Sequence, residues 1–147
     1  MSTFFAVVSG VPADRLPRRA TDGAAGYDLR AWLPAPHRPL VLPAGGLVIV
    51  RTGVRTVLPP QVCGIIFGRS GYRARGIGNL GPGVIDPDFT GELRVIMHNT
   101  TAAPIEIADG ERIAQIVFMP FIVADAEGLP ACRRPGDAGG FGSTGQA

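Results

Sequence analysis

Apolar positions in this chain recur with a period of two or in short unbroken runs, and nowhere at i, i+3, i+4, i+7 over three turns. Leu93, Val95 and Met97 alternate with Glu92, Arg94, Ile96 and His98, the spacing of a strand with one face in a core. Phe4 to Val8 reads as a short strand, Pro12 to Arg19 as an irregular link, and "TDGAAGYDLRA" as a turn running into a strand at Tyr27-Asp28-Leu29. "LVLPAGGLVIVRTGVRTVLPP" gives a strand, a Gly-Gly turn, a strand, and a further strand stopped by Pro59-Pro60. "CGIIFGRSG" is a buried strand ending in arginine, serine and glycine; "YRARG" predicts about one helical turn with Ser70 as its cap. "IGNLGPGVID" carries a hairpin signal, and "APIEIADGERIAQIVFMPF" a short strand, a turn at Asp109-Gly110 and a longer buried strand. The pattern predicts an all-β fold, a sandwich or jelly-roll-like β-barrel.

Composition supports a single packed domain. The chain has 147 residues, 46% of them hydrophobic and 18% charged, which argues against disorder, and its 21 glycines and 14 prolines suit many short strands joined by turns. Residues 1–124 are expected to form one β domain, and residues 125–147 a flexible Gly-rich arm. The net charge of +2, with arginines interrupted by proline and acids, offers no nucleic-acid stripe. The opening residues lack the features of a signal peptide, and the apolar run from Ile113 to Ala124 contains Gln115 and Pro120 and cannot span a bilayer. Cys63 and Cys132 stand outside any CxxC pattern and read as free thiols in a reducing compartment, so the expected setting is soluble and intracellular.

Candidate chemistry narrows the reading further. His37, His98 and the two cysteines have no zinc-ligand spacing, and Gly68-Arg69-Ser70-Gly71-Tyr72 is not the G-x-S-x-G elbow of a serine hydrolase. "GRSG" does offer a guanidinium fork, a hydroxyl and main-chain N–H groups, all suited to phosphate oxygens. "GVIDPDFTGE" places Asp86 and Asp88 at the end of a glycine-lined segment, where a carboxylate can serve as a general base toward water. Singly, each also reads as an ordinary ion pair or turn. "GGFGSTG" contains G-x-G-x-x-G, but only Gln146 and Ala147 follow it here, too few for a helix, so it is not expected to be a dinucleotide fingerprint; it reads as either a loose end or an arm that closes on an anion.

Taken in order, "AAGYDLRA", "GRSG", "GVIDPDFTGE", "GERIAQIVF" and "GGFGSTG" resemble the five sequence motifs of the trimeric dUTPases, from about Arg19 to Gly145. The resemblance implies a homotrimer with active sites shared between subunits, and Mg²⁺-assisted hydrolysis of dUTP to dUMP and pyrophosphate. It implies Asp86 as the base that activates water for attack on the α-phosphorus. Asp28 would support the site and the hydrated metal, which the phosphates and waters themselves hold. Arg69, Ser70, Gly71 and Gln115 would grip the phosphates. The hairpin from Gly78 to Val84, with Asn79 at its lip and Gly83 and Val84 along it, would form a uracil slot, and Ile85 just beyond it would also contact substrate. Phe141 would stack on the base, with Gly142, Ser143 and Thr144 touching phosphates, so "GGFGSTG" is by resemblance a clamp that closes on bound nucleotide.

Three departures stand out. Phe89 occupies a position where the family usually has Tyr; its ring is kept and its hydroxyl lost. The arm's usual arginine position is Gly136, leaving Arg134, with Arg133 beside it, as the γ-phosphate contact. Tyr72 and Arg73 replace small or apolar residues and predict a more basic surface. Arg94 reads as solvated surface first, with a reach into the site from the next strand as the alternative. The related dCTP deaminases need a glutamate base where this chain has Ile96, and a catalytically silent, partner-binding relative has no physical reason to keep Asp28, Asp86, Gln115 and Phe141 together.

Overall fold

The computed structural model describes residues 4–124, and the arm predicted over 125–147 lies outside them. Twelve strands, one α-helical turn and one 3-10 turn (Ala13–Arg15) make up the regular structure of the described residues: β1 (Phe5–Val7), β2 (Arg18–Arg19), β3 (Tyr27–Arg30), β4 (Leu40–Leu42), β5 (Leu47–Arg51), β6 (Val54–Thr56), β7 (Val62–Gly68), α1 (Ser70–Arg73), β8 (Ile77–Asn79), β9 (Gly83–Ile85), β10 (Arg94–Asn99), β11 (Ile105–Ile107) and β12 (Arg112–Pro120). All pairings are antiparallel. The largest sheet runs β2-β3-β12-β7-β9; a second runs β5-β10-β8, and two ribbons pair β1 with β6 and β4 with β11.

Alternation places the core as the sequence predicts. Leu93, Val95 and Met97 are buried while Arg94 and Ile96 point outward. Leu29, Leu42, Val50, Ile77, Ile107, Ile113 and Ile116 join them with essentially no exposure. Each such side chain contributes roughly 1.5–3 kcal/mol by leaving water. Phe118 of β12 meets Phe5 and Tyr27 at centroid distances of 5.3 and 5.8 Å, closing one end of the core with an aromatic cluster.

Three local expectations change. The link from Pro12 to Arg19 is more ordered than predicted: it holds a 3-10 turn at Ala13–Arg15 and the short edge strand β2. Ser70 does not cap α1. Arg69 occupies the extended cap position, and Ser70 is the first helical residue, with no side-chain capping bond. The segment from Ile77 to Ile85 is not a hairpin, because β8 pairs with β10 while β9 pairs with β7. Its glycines redirect the chain between two sheets; Gly81 adopts φ +80°, and its N–H bonds back to the Asn79 carbonyl at 2.8 Å. The Gly45-Gly46 turn likewise separates β4 from β5, which pair with β11 and β10 instead of each other.

Candidate active site

The outer face of the largest sheet gathers polar side chains from strands remote in sequence. Arg18 lies opposite Asp28, Asp28 opposite Gln115, and Gln115 opposite Phe67. One step along, Arg30 lies opposite Arg112. Residues directly opposite on neighbouring strands share a face, so register alone brings these groups together. Arg69, just past the end of β7, donates from Nη1 to the Arg112 carbonyl at 3.2 Å, and its Nε lies 3.5 Å from Asp28 Oδ1. Arg112 Nη1 approaches the other oxygen, Oδ2, at 3.3 Å, and only 14% of the Asp28 side chain is exposed. Gly26 makes this possible: a Cβ there would stand 2.6 Å from Gln115 Oε1, so bare backbone lets the amide lie across β3. Ser70 and Gly71 are exposed at the start of α1, with open space above Gly71. The structure thus unites Asp28, Arg69, Ser70, Gly71 and Gln115. It adds Arg30 and Arg112, which the segment-by-segment reading missed because only cross-strand register reveals them.

Asp86 belongs to the opposite end of the sheet. It follows Ile85, which pairs with Gly64, and is exposed. A turn bonds Phe89 N–H to the Asp86 carbonyl at 3.1 Å and returns the chain over a hollow of about 380 Å³ lined by Ile85, Phe89, Gly91, Glu92, Leu93 and Arg94. The Phe89 ring, 42% exposed, sits against Gly91, where a Cβ would stand 2.7 Å from the ring's Cζ. Glu92 anchors the floor: its Oε1 accepts from Gly53 N–H at 2.8 Å and its Oε2 from Arg51 Nε at 3.0 Å. That carboxylate escaped notice in the sequence, since nothing local marks it as buried. Arg94 is exposed as expected, yet it lines the hollow, with its Nε 3.8 Å from Glu92. Gly83 and Val84 are exposed along β9. Half-buried Asn79 spends its amide on the Ile66 carbonyl, at 3.4 Å, tying β8 to β7.

The sequence profile of the dUTPase family matches residues 14–145. The chain belongs to the dUTPase family. A deoxyuridine 5'-triphosphate nucleotidohydrolase of Anaeromyxobacter sp. (strain Fw109-5) is 42% identical over 140 residues, covering 92% of this chain and 90% of its own length. A protein of the same name from Methylocella silvestris is 43% identical over 137 residues, covering 90% and 84%. Among solved structures, a dUTPase from Streptococcus mutans superposes with a TM-score of 0.74 at 31% identity, over 84% of this chain and 99% of its own. The fold is the jelly-roll-like β architecture of that family.

On this dUTPase scaffold, the segments that resemble the family's motifs fall on two separate regions. "AAGYDLRA", "GRSG" and "GERIAQIVF" converge on the face around Asp28, whereas "GVIDPDFTGE" builds the hollow under Phe89. Arg134, Phe141, Gly142, Ser143 and Thr144 lie outside the described residues. Tyr72 corrects the expectation of a merely basic surface: it is buried at 7% exposure, and its hydroxyl donates to Glu111. Burial first, then the hydrogen bond and charge of Glu111, pushes the phenol well above its ordinary range. The second Glu111 oxygen accepts from Ala108 N–H at 3.0 Å, so this pair clips α1 to the β11–β12 turn. On that turn, burial raises the Asp109 carboxyl, but the Leu33 amide, Arg15 and His37 outweigh it and hold the group below its ordinary value.

Proposed function

We propose that the chain hydrolyses dUTP to dUMP and pyrophosphate. The observation that carries this reading is the convergence of Asp28, Arg69, Ser70, Gly71 and Gln115 on one face, in a member of the dUTPase family. Arg69 presents a guanidinium fork, Ser70 a hydroxyl and Gly71 an unobstructed backbone, three groups that fit a phosphate chain. Asp86 takes a proton from water as its oxygen attacks the α-phosphorus, and the bond from that phosphorus to the bridging oxygen breaks, releasing pyrophosphate. The protein's work is positioning and charge stabilisation.

Among the described residues no cluster of three or more histidine, cysteine or acidic side chains could hold a metal. Asp28, with both oxygens already near arginines at 3.3 and 3.5 Å, fits the water shell of a cation rather than its direct coordination. Mg²⁺ carried in with the phosphates would neutralise charge that develops on them. The hollow beneath Phe89 takes the deoxyribose, and the backbone from Gly78 to Val84 reads uracil. A close fit of that backbone around the base would leave no room for a 5-methyl group, and cytosine would leave main-chain groups unpaired. The Phe89 ring excludes a 2′-OH by bulk, without the usual hydroxyl. Phe141, Gly142, Ser143 and Thr144 close over the nucleotide, with Arg134 at the γ-phosphate. Asp86 and Asp28 stand too far apart in one chain to share a substrate, which supports a homotrimer whose sites draw on neighbouring subunits.

Pyrophosphate release from dUTP with Mg²⁺, alongside UTP, dCTP and dTTP, tests this. Rapid release confined to dUTP is the expected outcome. Equal turnover of UTP would remove the steric role assigned to Phe89, and absence of release from every nucleotide would remove the proposed activity.

A further inference from the structure

A groove of about 610 Å³ runs beside the phosphate-gripping face, along β2, β3 and the β11–β12 turn. Its walls carry Arg15, Arg18, Arg19, Arg30 and Arg112 against only Asp14 and Asp28. Arg15 is neutralised by Asp109 at 2.7 Å, and Arg19 spends its guanidinium on the Asp22 and Ala24 carbonyls. Arg30, like Arg19, is held by a backbone carbonyl, its Nη1 donating to Gly110 at 2.8 Å, which orients the fork without cancelling its charge; unlike Arg19, which lies opposite Tyr27, it lies opposite Arg112. Arg18 makes no hydrogen bond or ion pair among the described residues. Register sets Arg30 directly opposite Arg112, a like-charge pair that destabilises the sheet unless an anion intervenes. Asp28 cannot serve as that anion alone, since it already faces both Arg69 and Arg112. The groove shares Asp28 and Arg112 with the site, so it continues the path of a phosphate chain held by Arg69, Ser70 and Gln115.

We propose that Arg18 and Arg30 bind the terminal phosphate of the substrate and thereby set the preference for a nucleoside triphosphate over a diphosphate. The inference rests on the function proposed above. A terminal phosphate carries the most charge and the most free oxygens of the chain, and guanidinium forks match it. These two arginines sit on the rigid sheet, and so do not depend on the displaced arginine of the arm.

The test is equilibrium binding of α,β-imido-dUTP and α,β-imido-dUDP, each with Mg²⁺, to the full chain and its Arg18→Gln and Arg30→Gln variants. Each variant is expected to lose about tenfold in affinity for the triphosphate and less than about twofold for the diphosphate. Arg18→Lys should recover part of the loss, keeping the charge without the fork. Arg18 has no described partner, so its variants isolate binding from folding even if Arg30→Gln is destabilised. Equal losses on both ligands, losses on neither, or a triphosphate preference abolished by Arg134→Ala alone would overturn the inference. A wild type that binds no uracil nucleotide overturns the proposed function and this inference with it; a wild type whose triphosphate preference survives both changes overturns only the inference.

Discussion

Two inactive variants of this chain should repair each other. Asp86 lies one residue beyond Ile85, which pairs with Gly64, whereas Asp28 pairs with Gln115, which pairs with Phe67. The offset is four residues along the strands and three strand spacings across the sheet, about 13 and 14 Å, which places the two backbones about 20 Å apart. A general base must come within about 3 Å of its proton, or reach it through one water. On the function proposed above, one copy cannot direct both carboxylates onto one α-phosphorus, so the proposed site would take Asp86 from one subunit and Asp28 from another. Asp86→Asn and Asp28→Asn, each assembled alone, should lose on the order of 10²- to 10⁴-fold in kcat/KM. Equal amounts unfolded together and reassembled at random should regain activity at about one quarter of the sites, since each contributing subunit is the competent one half of the time. Pyrophosphate release from the mixed oligomer, compared with the two separate preparations, reads this directly. A mixed oligomer no more active than its parents would refute the shared-site reasoning.

Three further outcomes follow from single contacts. Gly91→Ala places a Cβ where only 2.7 Å separates it from the Phe89 ring, so the ring must shift; discrimination of dUTP from UTP, measured as the ratio of kcat/KM values, should fall while the melting temperature changes little. Asn99 is fully buried; its Nδ2 reaches the Ala103 carbonyl at 2.8 Å and its Oδ1 accepts from Thr101 N–H at 3.0 Å and Oγ1 at 2.7 Å. Asn99→Ala strands those groups and should cost about 3 kcal/mol, lowering Tm by on the order of 10 °C; a loss below about 1 kcal/mol would show that water replaces the amide. Asp109 has a folded pKa below its ordinary 3.8, so its stabilisation is fully present above that value and is lost as pH falls through the depressed folded value. Asp109→Asn should be less stable than the parent at neutral pH, and the gap in thermal melts should close below pH 3.8; a gap that persists unchanged in acid would refute the assignment.

Much of this architecture is legible in local pattern. The alternation of Leu93, Val95 and Met97 against Arg94 and Ile96 specifies a half-buried strand, because side chains on a strand face opposite ways with a period of two. The segments around Arg69 and Asp86 are recognisable as candidates because their residue types carry phosphate and proton chemistry, whereas Asp28 and Gln115 stand out only through the resemblance of their segments to the family's motifs. Partnership is another matter. Nothing near Ile77 reveals that β8 and β9 leave for different sheets, and nothing near Glu92 reveals that Gly53 and Arg51 bury its carboxylate. Tyr72 reads as surface until Glu111, remote in sequence, is seen to receive its hydroxyl. The row formed by Arg18, Asp28 and Gln115, and the pair Arg30 and Arg112, likewise depend on the register between strands distant in sequence. Local sequence sets which way a side chain faces on its own strand, since that depends on backbone geometry within a few residues. Which strands meet, and in what register, is set by how all the apolar faces close one core together, and that competition has no local signature.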